Sequence, residues 1–220
     1  PLRRQRQMCI RDRYLNDCKY QKNVTSMDVP REIREAKIKD IYTDDKQREK
    51  VIKWILNYIK EYKKGNFGKG LYLHGNFGCG KTYLLAAMFN ELAKENVRSV
   101  ITYWPEYLRS LKSSYSSSSS YEFKDKYNEV KYAKLLLIDD LGAEGVTSWS
   151  RDEILGTILQ YRMQEHLSTF ITSNLNLKEL EEHLSVSTTN KSERVKAVRI
   201  IERIKQLTID AEMIGQNNRK

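Results

Sequence analysis

The chain has 220 residues, with 39 Lys and Arg against 29 Asp and Glu, a net charge of +10 and an apolar fraction of 40%. That length suits one domain with a core of ordinary size, and the apolar content excludes a chain disordered by composition. No apolar run approaches the roughly eighteen residues of a membrane span and no stretch reads as a secretory leader; Cys9, Cys18 and Cys79 form no C-x-x-C pair, which points away from a disulfide scaffold or zinc site and toward a reducing cytoplasm.

The opening PLRRQRQMCIRDR is dense in arginine, has no apolar period and does not begin with Met. Residues 1–28 are therefore expected to be an unstructured or non-native segment or linker: a basic arm, the end of an upstream domain, or an assembly scar. Thr43, Asp44 and Asp45 supply N-cap residue types before a helix whose Val51, Ile52, Ile55, Leu56, Ile59 and Tyr62 recur on one face. Gly65 to Gly68 ends it. Gly70 to His74 reads as a strand that runs into GNFGCGKT and a helix burying Leu84, Leu85, Met88, Phe89 and Leu92. Val100 to Tyr103 reads as another strand, with a helix from Pro105. Ser113 to Ser120, nearly pure serine, is expected to be a mobile loop. KLLLIDD is a buried strand ending in two carboxylates, followed by a helix over Arg151 to His166 and a strand over Thr169 to Ser173. Asn176 with Glu179 forms a capping-box pattern, Lys191 to Gln206 a last helix, and Glu212 to Ile214 a final short strand. Strands alternating with helices imply an α/β fold, a parallel sheet sandwiched between α-helices.

Gly75-Asn76-Phe77-Gly78-Cys79-Gly80-Lys81-Thr82 matches G-x-x-x-x-G-K-[ST] in full, between a strand and a helix, as a P-loop requires. The glycines let successive backbone N–H groups face phosphate oxygens, and the helix that follows presents its positive end to the same anion. Gly75 through Thr82, with Tyr83 beside them, are the candidate ATP-binding residues. Lys81 would reach the β and γ phosphates, and the Thr82 hydroxyl would ligate Mg2+. Asp139 and Asp140 emerge at the C-terminal end of their strand, where open parallel sheets bind ligands. Asp139 would hold the metal and Asp140 would polarise the attacking water. Two acids that merely cap a strand are the plainer alternative. Cys79 reads as a tolerated small side chain rather than a redox centre, and His74 as a strand-end residue.

Asn174 follows a buried strand and, should that strand neighbour the Asp139 strand, would position water near the γ-phosphate; an Asn capping a turn is the alternative. Arg199 and Arg203 lie four apart on one helix face, serving either a surface ion-pair network with Glu202 or a polyanion. As an arginine finger one of them could reach a neighbouring subunit's γ-phosphate.

The segments GNFGCGKTYLLAAM, LLLIDDLGAE, TSWSRDEILGTILQYRM, TFITSN and VRIIERI, with GQNNRK at the end, resemble the AAA+ modules of the DnaI/DnaC/IstB-like family of helicase loaders and transposition ATPases. The resemblance runs from about Val29 to Lys220 and implies an AAA+ type P-loop NTPase domain over residues 29–220. It implies Walker A at Gly75 to Thr82, Walker B at Asp139 and Asp140, sensor 1 at Asn174, and Arg203 as a finger in trans with Arg199 nearby. It further implies a cytoplasmic, slow, assembly- or DNA-dependent ATPase that helps load the replicative hexameric DNA helicase onto single-stranded DNA during primosome assembly, and a homo-oligomer formed through the ATP interface. The family's separate helicase-binding, zinc-carrying N-terminal domain has no counterpart in this sequence. Asp140 stands where many AAA+ proteins carry Glu, and the only sensor 2 candidate is Arg219.

For single-stranded DNA the best interleaving of aromatic and basic residues is Tyr103, Trp104 and Tyr107 with Arg109 and Lys112, followed by Tyr115, Tyr121, Lys124 and Lys126. Aromatics packed at a strand-to-helix junction are the competing explanation. A transposase-partner or phage-encoded loader, a nucleotide-gated DNA-binding module with negligible hydrolysis, and a small-molecule P-loop kinase remain as alternatives. Residues 1–13 and 191–220 each carry a net +4, so the useful part of the charge is local to the last helix and its tail.

Overall fold

Short apolar runs build the centre of the molecule. In the computed structural model, which describes residues 24–27, 29–43, 45–116, 120–185 and 191–215, six strands form one parallel sheet. They are β1 (Val24–Met27), β2 (Gly70–His74), β3 (Ser99–Tyr103), β4 (Leu135–Asp139), β5 (Ser168–Ser173) and β6 (Thr208–Glu212), in the order β1-β3-β4-β5-β2-β6. β2, β4 and β5 are buried along their whole length, as expected of strands covered on both faces.

Alternation along each strand divides the core in two. Leu71, Leu73, Leu135, Leu137 and Phe170 pack with α2 (Lys46–Lys63) and α3 (Lys81–Ala93). Tyr72, Leu136, Ile138 and Ile171 face the other way. There they meet α4 (Trp104–Ser116), α5 (Ser120–Tyr132), α6 (Gly156–Gln164), α7 (Leu177–Leu184) and α8 (Lys191–Leu207). A four-residue helix, α1 (Arg31–Arg34), precedes them. The sheet sandwiched between helices agrees with the architecture expected from the sequence. No described helix is long and apolar enough to cross a membrane.

Five expectations are corrected. Val24–Met27, assigned to the N-terminal segment, is an edge strand paired in parallel with Ser99–Thr102, so the sheet begins before residue 29. Ser113 and Ser114 belong to a helix and not to a loop: the Ser110 and Ser113 hydroxyls donate to the carbonyls three residues back (3.2 and 2.9 Å), holding these serines in helical turns. Residues 117–119 of that run lie outside the described residues, and Ser120 already opens α5. The helix expected over Arg151 to His166 begins as a π-helix, Trp149–Leu155, and becomes α-helical only at Gly156. The last strand comes four residues earlier than expected, because the Thr208 hydroxyl donates to the Ile204 carbonyl (2.7 Å) where α8 ends and the chain turns into β6. Leu56, expected on the buried face of α2, is 48% exposed. The Arg-rich opening, Cys9, Cys18 and Arg219 fall outside the described residues.

Candidate functional site

The loop between β2 and α3 bends as a phosphate-binding loop must. Gly75, Gly78 and Gly80 all have positive φ, and Gly75 has no substitute: a Cβ there would lie 2.0 Å from the Met213 carbonyl oxygen, which packs across the loop. Lys81, buried at the first turn of α3, folds its ammonium back onto the loop. Its Nζ donates to the Gly75 and Asn76 carbonyls (2.9 and 2.7 Å) and to Asn174 Oδ1 (2.9 Å). Burial pushes this ammonium below the usual lysine range, with Cys79, Asp140 and Asp139 opposing the shift. Such a group gains by meeting a nearby anion.

The two carboxylates leave β4 in different directions. Asp139 is buried, and its Oδ1 accepts the hydroxyls of Thr82 and Thr172, both at 2.6 Å. Burial raises its pKa although both hydroxyls oppose the shift. Asp140 has a left-handed φ of 59°, a conformation that Asp tolerates better than most residues. Three hydrogen bonds to β5 fix that kink: Thr172 Oγ1 accepts from Asp140 N (2.9 Å), the Thr172 carbonyl from Leu141 N (2.9 Å), and the Leu141 carbonyl from the Ser173 hydroxyl (2.6 Å).

The sheet order explains Asn174. β5 is inserted between the loop-bearing β2 and the acid-bearing β4, so the residue after it falls between the two halves of the site. Asn174 accepts from Lys81 and donates through Nδ2 to Asp140 Oδ1 (2.7 Å), linking ammonium to carboxylate. The fold thus brings Lys81, Thr82, Asp139, Asp140 and Asn174 together at the C-terminal edge of the sheet. A Mg2+ ion fits the donor set of Thr82 and Asp139, a buried carboxylate whose hydrogen bonds among the described residues come from the Thr82 and Thr172 hydroxyls. Among the described residues no cluster of three His, Cys, Asp or Glu side chains could hold a metal, so phosphate oxygens and water would complete its shell.

Arg203 and Arg199 stand elsewhere. α8 leads into β6, whose first residue pairs with Gly70 at the start of β2. Arg203, four residues from the end of α8, is therefore nearer the sheet edge opposite the P-loop. Its guanidinium donates to the Gly156 carbonyl (3.1 Å), at the joint between the π-helix and α6. Gly156 makes room for this contact, since a Cβ there would sit 3.3 Å from Arg203 Nη1 and 3.2 Å from the Arg151 carbonyl. Burial, with help from Arg199, lowers the Arg203 pKa. Among the described residues the alternative reading, a surface ion-pair network of these arginines with Glu202, does not form; that carboxylate pairs with Lys205 at 2.8 Å.

The family model for AFG1-like ATPases matches residues 2–210 of this sequence. The chain belongs to that family. This AFG1-like ATPase is 40% identical over 201 residues, 91% of its own length, to the replicative helicase loader DnaI of Bacillus subtilis (strain 168), of which it spans 64%. It superposes on a crystal structure of DnaI with a TM-score of 0.77 at 45% identity, covering 91% of this chain and 100% of that one. With the crystal structure of the DnaC helicase loader it shares the fold, at 21% identity and a TM-score of 0.64, covering 84% of this chain and 99% of the other. The AAA+ architecture and the resemblance to helicase loaders read from the sequence agree with these likenesses.

Two supporting residues of the ATPase escape sequence reasoning. Thr172 binds both acids' backbone or side chain; its position two before Asn174, on the same strand face, was the available signal. Arg48, buried in α2, donates to the Cys79 carbonyl inside the P-loop (2.8 Å) and to the Tyr42 carbonyl (2.9 Å), stiffening the loop from behind. Nothing in its helical spacing announces this. Cys79 is buried, donating to the Asn76 carbonyl at 3.0 Å, and His74 is a buried strand end facing Asp210 at 3.3 Å.

Of the aromatic and basic residues weighed as a single-stranded DNA contact, two follow the competing explanation of packing at the junction. Trp104 and Tyr107 are core residues, each 1% exposed, because the strand-to-helix junction turns them inward. Arg109 is engaged by Glu106, and Lys126 by Glu122 at 2.8 Å. Tyr121 is 76% exposed.

Proposed function

We propose that the chain binds ATP with Mg2+ at Gly75 to Tyr83, hydrolyses it slowly in an assembly joined through the ATP interface, and helps load a replicative hexameric helicase onto single-stranded DNA. The loader reading, helicase and DNA included, rests on the likeness to DnaI and belongs to a protein longer than this chain. The observation that carries the ATPase reading is Asn174, which joins Lys81 to Asp140 through two hydrogen bonds of 2.9 and 2.7 Å.

The chemistry follows from these positions. Lys81 exchanges the Gly75, Asn76 and Asn174 oxygens for phosphate oxygens. Thr82 and Asp139 would hold Mg2+, which when bound would supply positive charge against the charge developing on the phosphates. Asn174, released from the ammonium, and Asp140 together hold the attacking water in line, Asp140 accepting its hydrogen bond. Arg203 acts on the nucleotide of a neighbouring copy, with Arg199 beside it, because its own P-loop lies toward the other end of the sheet.

Calorimetric titration with ATP tests the binding half: Lys81→Ala is expected to lose nucleotide binding. Asp140→Asn is expected to keep it within about threefold while phosphate release falls by about 10²-fold or more. Undiminished binding by Lys81→Ala would refute the site. One observation favours a second reading, a nucleotide-gated DNA-binding module with negligible hydrolysis: the short Asp140 carboxylate is already engaged by Asn174. Phosphate release with and without single-stranded DNA separates the two.

A further inference from the structure

A cavity of about 290 Å3 opens beside Arg203, lined also by Lys131, Asp152, Gln160, Tyr161 and Gln164. It shares no lining residue with the cleft beside the P-loop that contains Gly75, Asn76 and Asn174. Its one carboxylate is spoken for: Asp152 accepts two hydrogen bonds from Arg151 (2.7 and 2.9 Å) and pairs with Lys196 at 3.3 Å. Among the described residues Lys131 and Arg203 make no ion pair, so two cations and two side-chain amides face one concave space.

Lys131 is held in place without a carboxylate. Its ammonium lies 5.5, 5.4 and 4.9 Å from the ring centroids of Tyr127, Tyr132 and Tyr161. Such rings attract a cation through their faces while accepting none of its strong hydrogen bonds. The rings are themselves fixed: the Tyr127 and Thr157 hydroxyls are bonded at 2.7 Å, and Tyr132 meets Tyr161 edge-on at 5.0 Å. The backbone beneath is pinned by the fully buried Arg162, which donates to the carbonyls of Val130 (3.4 Å), Lys131 (3.3 Å) and Ala133 (2.7 Å). A rigid lysine whose hydrogens have no acceptor among the described residues is arranged to meet an anion.

We propose that Lys131 is a second trans-acting cation: together with Arg203 it contacts the terminal phosphates of a nucleotide bound to a neighbouring copy of this chain. The inference rests on the reading of Arg203 as a residue acting in trans. A compact phosphate group suits the concave site. A single strand of DNA suits it less, because base stacking needs free aromatic faces and these three rings already hold Lys131.

The test compares Lys131→Met, Lys131→Arg and Arg203→Ala in the full chain, measuring nucleotide affinity and assembly-dependent phosphate release. Lys131→Met is expected to keep ATP affinity within about twofold and lose at least about tenfold in turnover. Lys131→Arg, which retains a cation over the rings, is expected to recover most of that loss. Adding Lys81→Ala protein, which offers an intact Lys131 to the other copy's P-loop, is expected to restore turnover to Lys131→Met. Should the Met variant melt early, Lys131→Gln repeats the comparison with the stem retained. Normal turnover in Lys131→Met beside a dead Arg203→Ala would overturn the role of Lys131 and leave Arg203 standing. Normal turnover in both would remove the trans reading itself. Loss of single-stranded DNA binding with unchanged turnover would make the cavity a DNA contact and equally overturn the proposal.

Discussion

Asp139 carries a tension between stability and function. Its carboxylate sits where burial raises its pKa, with the Thr172 and Thr82 hydroxyls and the Lys81 ammonium opposing the shift. A carboxylate with a raised pKa in the folded state binds protons more readily there than in the unfolded chain. The cost is therefore present above that folded pKa and disappears as pH falls through it toward the unfolded value. Asp139→Asn keeps the acceptor for Thr82 and Thr172 and removes the charge. It is expected to raise the melting temperature of the nucleotide-free protein by about 2–4 °C at neutral pH. The gain should shrink as the melts are repeated at lower pH, and Mg2+ should no longer enhance nucleotide binding in the variant. A melting temperature lowered at every pH would mean that the charge is already compensated in the resting site.

At the scale of elements, α7 depends on its first residue. Asn176 Oδ1 accepts from the backbone of Lys178 and Glu179 at 3.0 Å each, and the Glu179 carboxylate accepts from Asn176 N at 2.8 Å. Eight residues make a marginal helix, and this one carries Leu180 and Leu184 into the core. Asn176→Ala is expected to cost about 1 kcal/mol in chemical denaturation, with an unchanged slope against denaturant, whereas Asn176→Asp should be nearly silent. That box was legible because capping is written in adjacent residues. The same holds for β2, the P-loop and β4, where a buried run and its polar end sit within a dozen positions. β1 was not legible: VTSM has little apolar signal, and only its pairing with β3 makes it a strand. The C-terminal end of α4 was hidden by the serine run, since the hydrogen bonds of Ser110 and Ser113 back to helical carbonyls cannot be read from composition. The π-helix at Trp149–Leu155 leaves no mark in apolar spacing, although it sets the joint that Arg203 binds.

At the scale of the molecule, the sheet order assigns the working parts. Inserting β5 between β2 and β4 brings Asn174 between Lys81 and Asp140 although these residues lie far apart in sequence. Sequence reasoning could state this only as a condition, because strand order is a long-range property. The same topology carries Arg203 away from its own P-loop, and the net +4 of residues 191–220 belongs in part to that distant face. One copy would then hold half of each of two catalytic sites. The most direct measurement is phosphate release by Lys81→Ala and Arg203→Ala proteins, alone and mixed. Each alone is expected to be inactive, while an equimolar mixture regains a substantial fraction of wild-type turnover, since one interface in the mixture pairs an intact P-loop with an intact Arg203. A mixture as inactive as its components, with both variants folded and able to assemble, would contradict the account.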